Sequence, residues 1–448
     1  MRQRKFLFSA LVAIVGVASL GYLAGAAAMF FQLPSSEFLF KALLGARTWC
    51  DGEESPSSPR GLAAAPVARA AIDQPGRTFD GFTLYTYAAF DDAQRRTAAF
   101  LIDMRGNVVH RWAIPFSRVW PSPPHLETGV PDSAVCIFAC HLYPNGDLMT
   151  VFHGQSKPAG LGLAKLDKDS KVLWTYPDAV HHDVHVADDG TIYTLRQEIA
   201  KQMPPGLERI AAHCEVDYLV VLSPEGKPLR EPVPILEAFQ DTPYAALLDA
   251  LKWPIKRHTR LNGSTAPHVS HDFMARDPLH TNSVKVLGSG LAAKFPLFKA
   301  GHVLLSIRDM SSLAMLDPES GKVVWAARGS WYAQHDAQFL DNGHLLLYDN
   351  LGVAIGSRVL EYDPQTQAFP WFYAGAPDAP FYSSERGACQ RLPNGNTLIA
   401  NSEGGEMIEV TQGHEIVWSS YVDGYITTAR RFTSEQLPFL DGGQRVRP

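Results

Sequence analysis

His335-Asp-Ala-Gln-Phe-Leu-Asp-Asn-Gly-His-Leu-Leu-Leu-Tyr-Asp-Asn350 reads as two strands joined by an Asn-Gly turn. Both residues of such a turn must tolerate positive φ, so Asn-Gly or Asp-Gly between apolar runs is a strong short-range hairpin signal. The unit recurs at Leu142-Tyr-Pro-Asn-Gly-Asp-Leu-Met-Thr-Val-Phe, at Val186-Ala-Asp-Asp-Gly-Thr-Ile-Tyr-Thr-Leu and at Leu392-Pro-Asn-Gly-Asn-Thr-Leu-Ile. A second hairpin usually follows and ends in tryptophan, at Trp174, Trp325 and Trp418, with weaker copies ending at Trp112 and Trp371. Two hairpins make four strands, and the repeat is about 40–50 residues long where no insertion intervenes, the pattern of a β-propeller blade. The expectation is an all-β chain: a six-bladed β-propeller over residues 81–436, with 437–448 as a C-terminal tail. The strands from about Gly81 to Trp112 should share a blade with the C-terminal end and so close the ring. Between residues 203 and 278 lies an insertion, within which Pro234 to Trp253 has helical spacing and is expected to form a lid or rim element.

The N-terminus carries a separate signal. Arg2, Arg4 and Lys5 precede an apolar run from Phe6 to Leu33 that holds no charged residue. That run exceeds the roughly 7–15-residue apolar region of a signal peptide and matches the roughly 20 residues of a bilayer-spanning helix. Residues 1–33 are therefore expected to be a transmembrane helix anchored in the inner membrane, with its basic flank in the cytoplasm and the propeller in the periplasm. A cleaved signal peptide is the alternative, since Ala24-Gly-Ala-Ala-Ala28 offers small residues. Residues 34–80 read as a Pro/Ser/Ala-rich linker.

Composition excludes some classes. The chain has 448 residues, and its 46% hydrophobic and 19% charged content is ordinary for a globular protein. A net charge of −6 without a basic cluster gives no reason to expect nucleic acid as a partner. Five scattered cysteines make no disulfide framework, and Cys136 and Cys140 could pair only if the segment between them is a loop.

Function enters through histidine. His182-Asp-Val-His-Val, His280-Thr-Asn-Ser-Val and His335-Asp-Ala-Gln-Phe each put an imidazole at the start of a hairpin. His182 and His335 both stand eight residues before the turn glycine, Gly190 or Gly343, while a longer insertion separates His280 from Gly301. The innermost strand of each blade lines the channel of a propeller, and the strand before each Asn-Gly turn is assigned that place. Its partner returns to the same end, so the residue seven past the turn glycine should lie beside the histidine. Those residues are His153, Asn350, Ser402 and, in the blade of His280, Arg308.

Three chemistries suit such a cluster. A metal site would use the imidazoles, but Arg308 would repel a cation, and no metal is expected. General acid–base catalysis needs one imidazole of tuned pKa. An imidazole nucleophile needs neighbours that orient the ring and neutralise an anion. Arg308 and the flanking histidines supply these for a sulfuryl or phosphoryl group, whose transfer is mostly positioning and charge stabilisation.

The run His280-Thr-Asn-Ser-Val, Ser306-Ile-Arg308, Gln334-His-Asp-Ala-Gln-Phe-Leu-Asp-Asn-Gly, Tyr348-Asp-Asn, Phe381-Tyr-Ser-Ser and Gln390-Arg-Leu-Pro-Asn-Gly-Asn-Thr-Leu-Ile resembles the bacterial arylsulfate sulfotransferase family. The resemblance implies a six-bladed propeller that moves a sulfuryl group from a phenolic sulfate donor to a phenol acceptor. It also implies a transient sulfohistidine, without a nucleotide sulfate donor or other cofactor. By motif His335 matches the nucleophile, and His280 and Arg308 match sulfate-binding and leaving-group positions. His182, in His181-His-Asp, matches a further channel histidine expected to act on the phenol oxygen. Asn350 and His153 complete the substrate-binding set. Trp331, Tyr332, Phe381 and Tyr382 are expected to stack on the phenols, with blade packing as the alternative. The chain departs from the family in its anchor-like N-terminus and in lacking a clear small N-terminal β-domain. Two other readings are a non-catalytic docking subunit of an envelope complex and a metal- or quinone-dependent propeller enzyme.

Overall fold

In the computed structural model the described residues are 69–88, 97–126, 129–154, 159–200, 214–252, 277–353, 356–375 and 381–440. The expected anchor and residues 34–68 of the expected linker lie outside them. Among the described residues no helix is long and apolar enough to cross a membrane.

Six antiparallel sheets of four strands form the propeller, one of them extended by a fifth strand. The first blade runs outward from Tyr425–Phe432 through Phe82–Ala88 and Ala98–Ile102 to Val108–Ala113, so the last strand of the chain is the innermost strand of the first blade. This is the ring closure expected from the sequence. The second blade is Val135–Leu142, Leu148–Gly154, Gly160–Leu166 and Val172–Tyr176, and the third is Val180–Val186, Ile192–Ala200, Cys214–Leu222 and Val233–Pro234. The fourth comprises Thr281–Val286, Val303–Ile307, Ser312–Asp317 and Lys322–Arg328. The fifth comprises His335–Phe339, Leu345–Val353, Gly356–Tyr362 and Trp371–Tyr373. The sixth is Ala388–Arg391, Thr397–Asn401, Glu406–Val410 and Ile416–Tyr421, with Arg69–Asp73 added at its outer edge. The first-named strands of successive blades touch one another around the ring, which makes them the channel strands.

The burial pattern explains the sequence pattern. A strand in the middle of a blade is covered on both faces by neighbouring blades, so it reads as a continuous apolar run such as Leu345-Leu-Leu347 rather than an alternating one. Each of the six interfaces between blades holds its own apolar cluster, for example Leu304, Leu313 and Met315 of the fourth blade against Leu345, Leu347 and Leu360 of the fifth. All five expected tryptophans (Trp112, Trp174, Trp325, Trp371 and Trp418) fall on the fourth strand of their blades, counted from the channel. Across the seam between the last and first blades, Arg431 pairs with Glu409 at 3.2 Å, both side chains fully buried.

Three expectations are revised. Arg69–Asp73, placed in the linker, is a strand paired with Ile416–Tyr421. Leu437, Phe439 and Leu440, placed in the tail, pack on the interface between the first and second blades. The segment after Pro234 does form helical turns, at Ile235–Ala238 and Ala245–Lys252, but it is no lid. Its Ile235, Leu236, Phe239 and Leu248 are buried in the cluster between the third and fourth blades, where they contribute to the core. Cys136 and Cys140 lie on one strand, too far apart along it to pair with each other.

Candidate active site

Five of the six channel strands share an irregularity at one end. Pairing slips at Phe138 in the second blade, at His182 and Asp183 in the third, and at Asn282 in the fourth. It slips again at Asp336 and Ala337 in the fifth blade and at Thr427 in the first. A bulge bends the strand and re-aims a side chain that a regular pleat would direct elsewhere. At two of them the backbone is left-handed on a non-glycine residue, φ 59° at His182 and 50° at Asp336, and His280 just before its strand has φ 49°. Such conformations cost free energy and cluster at functional sites.

The bulges also separate two histidines that share one spacing. His182 lies inside the slip between the His181–Leu195 and Val184–Thr194 pairs. His335 is still in register with Tyr348, and it is the following residue, Asp336, that slips. The same count of eight therefore places two imidazoles differently.

His335 is 7% exposed and has a fixed protonation pattern. Its Nδ1 lies 2.7 Å from Asn350 Oδ1 and 3.1 Å from the Ala333 carbonyl, both acceptors. Asn350 must present oxygen there, because its Nδ2 donates to the Ser383 carbonyl at 2.9 Å and to the Arg386 carbonyl. Nδ1 therefore carries the hydrogen, and Nε2 keeps its lone pair. The Arg386 backbone N–H approaches that lone pair at 3.3 Å. Burial, then the positive charge of Arg308, hold the His335 pKa well below its ordinary value, so the ring is neutral at neutral pH.

Arg308 is 6% exposed, donates to Asp309 at 2.9 Å, and has its backbone N–H on the His280 carbonyl at 3.3 Å. His280 Nδ1 donates to Asp277 at 2.6 Å. Burial lowers the His280 pKa even though Asp277 opposes that shift. From His280 a row of rings crosses the mouth: His182 at 4.8 Å between centroids, His153 at 5.5 Å from His182, and Phe138 stacked on His153 at 4.6 Å. The Arg386 guanidinium caps Phe138 at 5.1 Å. One wall is thus aromatic and imidazole-rich, with cationic groups at both ends.

The expected residues divide. His335, Asn350, Arg308, His280, His182 and His153 do come together. Ser402 instead ties the sixth blade to the first, its Oγ donating to the Ile426 carbonyl. Trp331 is 2% exposed, packed edge-on to Tyr362 at 5.0 Å and near Phe369, and belongs to the core between blades four and five. Phe381 is likewise core, against Tyr348 and Tyr373. The Tyr332 backbone N–H donates to Asp349 at 2.8 Å, which ties this connection to the second strand of its blade. Tyr382 is half-buried, and burial with nearby Glu403 pushes its phenol up to about 12.

Phe138 and Arg386 were missed. Phe138 carried a signal, for it stands eight residues before Gly146, the place of His335 in its own blade. Arg386 sits on a connection in front of the sixth channel strand, where no repeat count reaches it. Next to it, Gly387 has φ 122°, and a Cβ there would meet the Tyr348 ring at 2.6 Å, so only glycine lets the connection pass close to Asn350. The Asp of each His-Asp pair has a separate task. Asp183 accepts the Val284 N–H at 3.0 Å and pairs with Lys285, and Asp336 accepts the Cys389 N–H at 2.8 Å and pairs with Arg430. Each stitches its channel strand to the next blade. Among the described residues no group of three or more His, Cys, Asp or Glu side chains is placed to hold a metal ion.

A six-bladed propeller with an imidazole-and-arginine cluster at one channel mouth is the class of protein that fold and site define. A family model described as arylsulfotransferase (ASST) matches residues 140–424, and the chain belongs to that family. No curated protein matches it. Among solved structures it is similar to a protein of unknown function from Bacteroides caccae, at 13% identity over 78% of this chain and 98% of that one, with a TM-score of 0.45. It is also similar to a catalytically inactive virginiamycin B lyase from Staphylococcus aureus, at 8% identity over 65% and 72%, TM-score 0.35. The WD40 β-propeller domain of Doa1 matches at 12% identity over 80% and 99%, TM-score 0.39.

Proposed function

We propose that the protein transfers a sulfuryl group from an aryl sulfate ester to a phenolic acceptor through a sulfohistidine at His335. One observation carries this reading: a buried neutral imidazole, in the field of Arg308, holds its hydrogen on Nδ1 and keeps an unprotonated Nε2 that meets only the Arg386 N–H among its described contacts, at 3.3 Å. In the first half-reaction Nε2 attacks sulfur, the N–S bond forms, and the S–O bond breaks in line. The phenolate leaves with the electron pair of that bond, its charge stabilised by Arg308. The sulfonated ring becomes an imidazolium, and Asn350 Oδ1 and the Ala333 carbonyl hold its remaining N–H.

In the second half-reaction an acceptor phenol occupies the same mouth, with the Phe138–His153 stack as the surface for its ring. His182 takes the phenol proton, the oxygen attacks sulfur, and the N–S bond breaks to restore neutral His335. The proton on His182 then returns to solvent. The apolar run 6–33 holds this propeller on the outer face of the inner membrane.

The test is turnover. Purified protein mixed with 4-nitrophenyl sulfate and phenol should release nitrophenolate and form phenyl sulfate, and His335→Ala should abolish both. Absence of turnover in folded protein with several donor–acceptor pairs overturns the reading.

A further inference from the structure

Behind His182 lies a pair of buried groups that the reaction as written does not use. His182 Nδ1 and His181 Nδ1 are 2.6 Å apart, a hydrogen bond between neighbouring rings set at right angles. On the far side of His181, its Nε2 lies 3.6 Å from Asp217 Oδ1, with both side chains fully buried. Asp217 is itself fixed: Oδ2 accepts the Thr281 N–H at 2.7 Å, and Gln197 Nε2 approaches Oδ1 at 3.4 Å. Gln197 stands seven residues past Gly190, the place that Asn350 has in the fifth blade. In one blade the amide at that place orients the histidine, and in the other it orients a carboxylate.

We infer that Asp217, His181 and His182 form a proton relay that makes His182 the base of the acceptor half-reaction, with His181 and Asp217 as positioning residues. This rests on the sulfuryl-transfer reading above. Only one of the two facing Nδ1 atoms can carry the shared hydrogen. If His181 carried it, the Nε2 lone pair of His181 would face a buried carboxylate, which repels it. The alternative puts N–H on His181 Nε2, towards Asp217, and the shared hydrogen on His182. The separation of 3.6 Å is an electrostatic contact rather than a hydrogen bond, and its sign still selects the tautomer. His182 is thereby left with its lone pair on Nε2, beside the rings of His153 and His280.

When Nε2 takes the phenol proton, the positive charge on His182 is spread towards His181 and held by Asp217. The arrangement resembles the way a buried aspartate sets the tautomer of a catalytic imidazole elsewhere. Among the described residues, Phe138 and His153 of the second blade and His280 of the fourth also face His182, with Asp277 behind His280.

Resolving the two half-reactions tests the relay. With 4-nitrophenyl sulfate alone the enzyme should give a nitrophenolate burst, because that leaving group needs no acid. His181→Gln and Asp217→Asn should keep the burst rate within about twofold and slow transfer to unsubstituted phenol by about a hundredfold. Transfer to a dinitrophenol, already ionised at neutral pH, should slow by no more than about threefold, a selectivity that a merely structural defect would not give. Equal losses with every acceptor, or no loss with phenol, overturn the relay. If the variants do not fold, nitrogen-15 NMR of the wild-type protein decides: hydrogen on His182 Nδ1 and His181 Nε2 supports the relay, and the reverse tautomers overturn it. The NMR result also stands if wild-type enzyme gives no burst, an outcome that would count against the sulfohistidine reading alone.

Discussion

Asn350 accepts a hydrogen bond from His335 at 2.7 Å across the open end of one hairpin, and its own amide nitrogen is committed to two carbonyls of the next connection. A neutral acceptor fixes the imidazole without adding negative charge to it. Asn350→Asp keeps an acceptor oxygen but adds that charge, which favours the protonated ring. Wild-type activity should fall only at pH values well below 6.5, where His335 gains a proton. In Asn350→Asp the acid limb of kcat/KM should move to higher pH by about one to two units. An unmoved limb contradicts the assignment of His335 as the group that must be neutral.

Folding is linked to the same physics. Burial, aided by Lys285, pushes His141 down to about 4 and His185 down to about 3, and His335 is also lowered. The unfolded chain titrates these groups near 6.5 and so binds more protons than the folded one below that pH. Their stability contribution is complete above pH 6.5 and is lost as pH falls towards 3 to 4. Urea midpoints should therefore drop between pH 6.5 and 4, and His185→Gln should flatten the decline. A midpoint independent of pH over that range contradicts this.

The ring seam should be sensitive to one carboxylate. Glu409 neutralises buried Arg431 and also accepts the Phe79 N–H and the Asn396 amide, each at 2.7 Å. Glu409→Ala leaves an uncompensated buried charge, and the expected loss is about 3–5 kcal/mol in denaturant unfolding. A loss below about 1 kcal/mol would mean that apolar packing holds the seam without the ion pair.

Trp331 separates packing from binding. Its ring is buried between two blades, so Trp331→Ala should cost about 3–5 kcal/mol of stability. The KM for aryl sulfate in the folded fraction should stay within about twofold, as expected of a residue away from substrate. A large rise in KM at unchanged stability would return Trp331 to the site.

Much of this molecule was legible in the chain because a propeller repeats its local chemistry. The Asn-Gly and Asp-Gly turns marked the hairpins and Trp174, Trp325 and Trp418 marked outer strands. The count of seven past the turn glycine singles out Asn350 and Arg308 from spacing alone. Spacing could not reveal the bulges, since no residue type at Asp336 or His182 demands one, and the bulges make two evenly spaced histidines unequal. Nor could it distinguish Trp331 and Phe381 in the core from Phe138 at the mouth, because an aromatic ring suits both. Asp217 met His181 only through the pairing of separate strands, and Arg69–Asp73 joined the sixth blade outside the repeat.

The central claim is a covalent bond between sulfur and His335 Nε2. The direct measurement mixes the protein with an aryl sulfate in the absence of acceptor, quenches at alkaline pH and locates the added mass by peptide fragmentation. The account predicts one sulfuryl group on His335, which disappears when a phenol is added before the quench. Turnover with no adduct at His335, or undiminished turnover by His335→Ala, would contradict it.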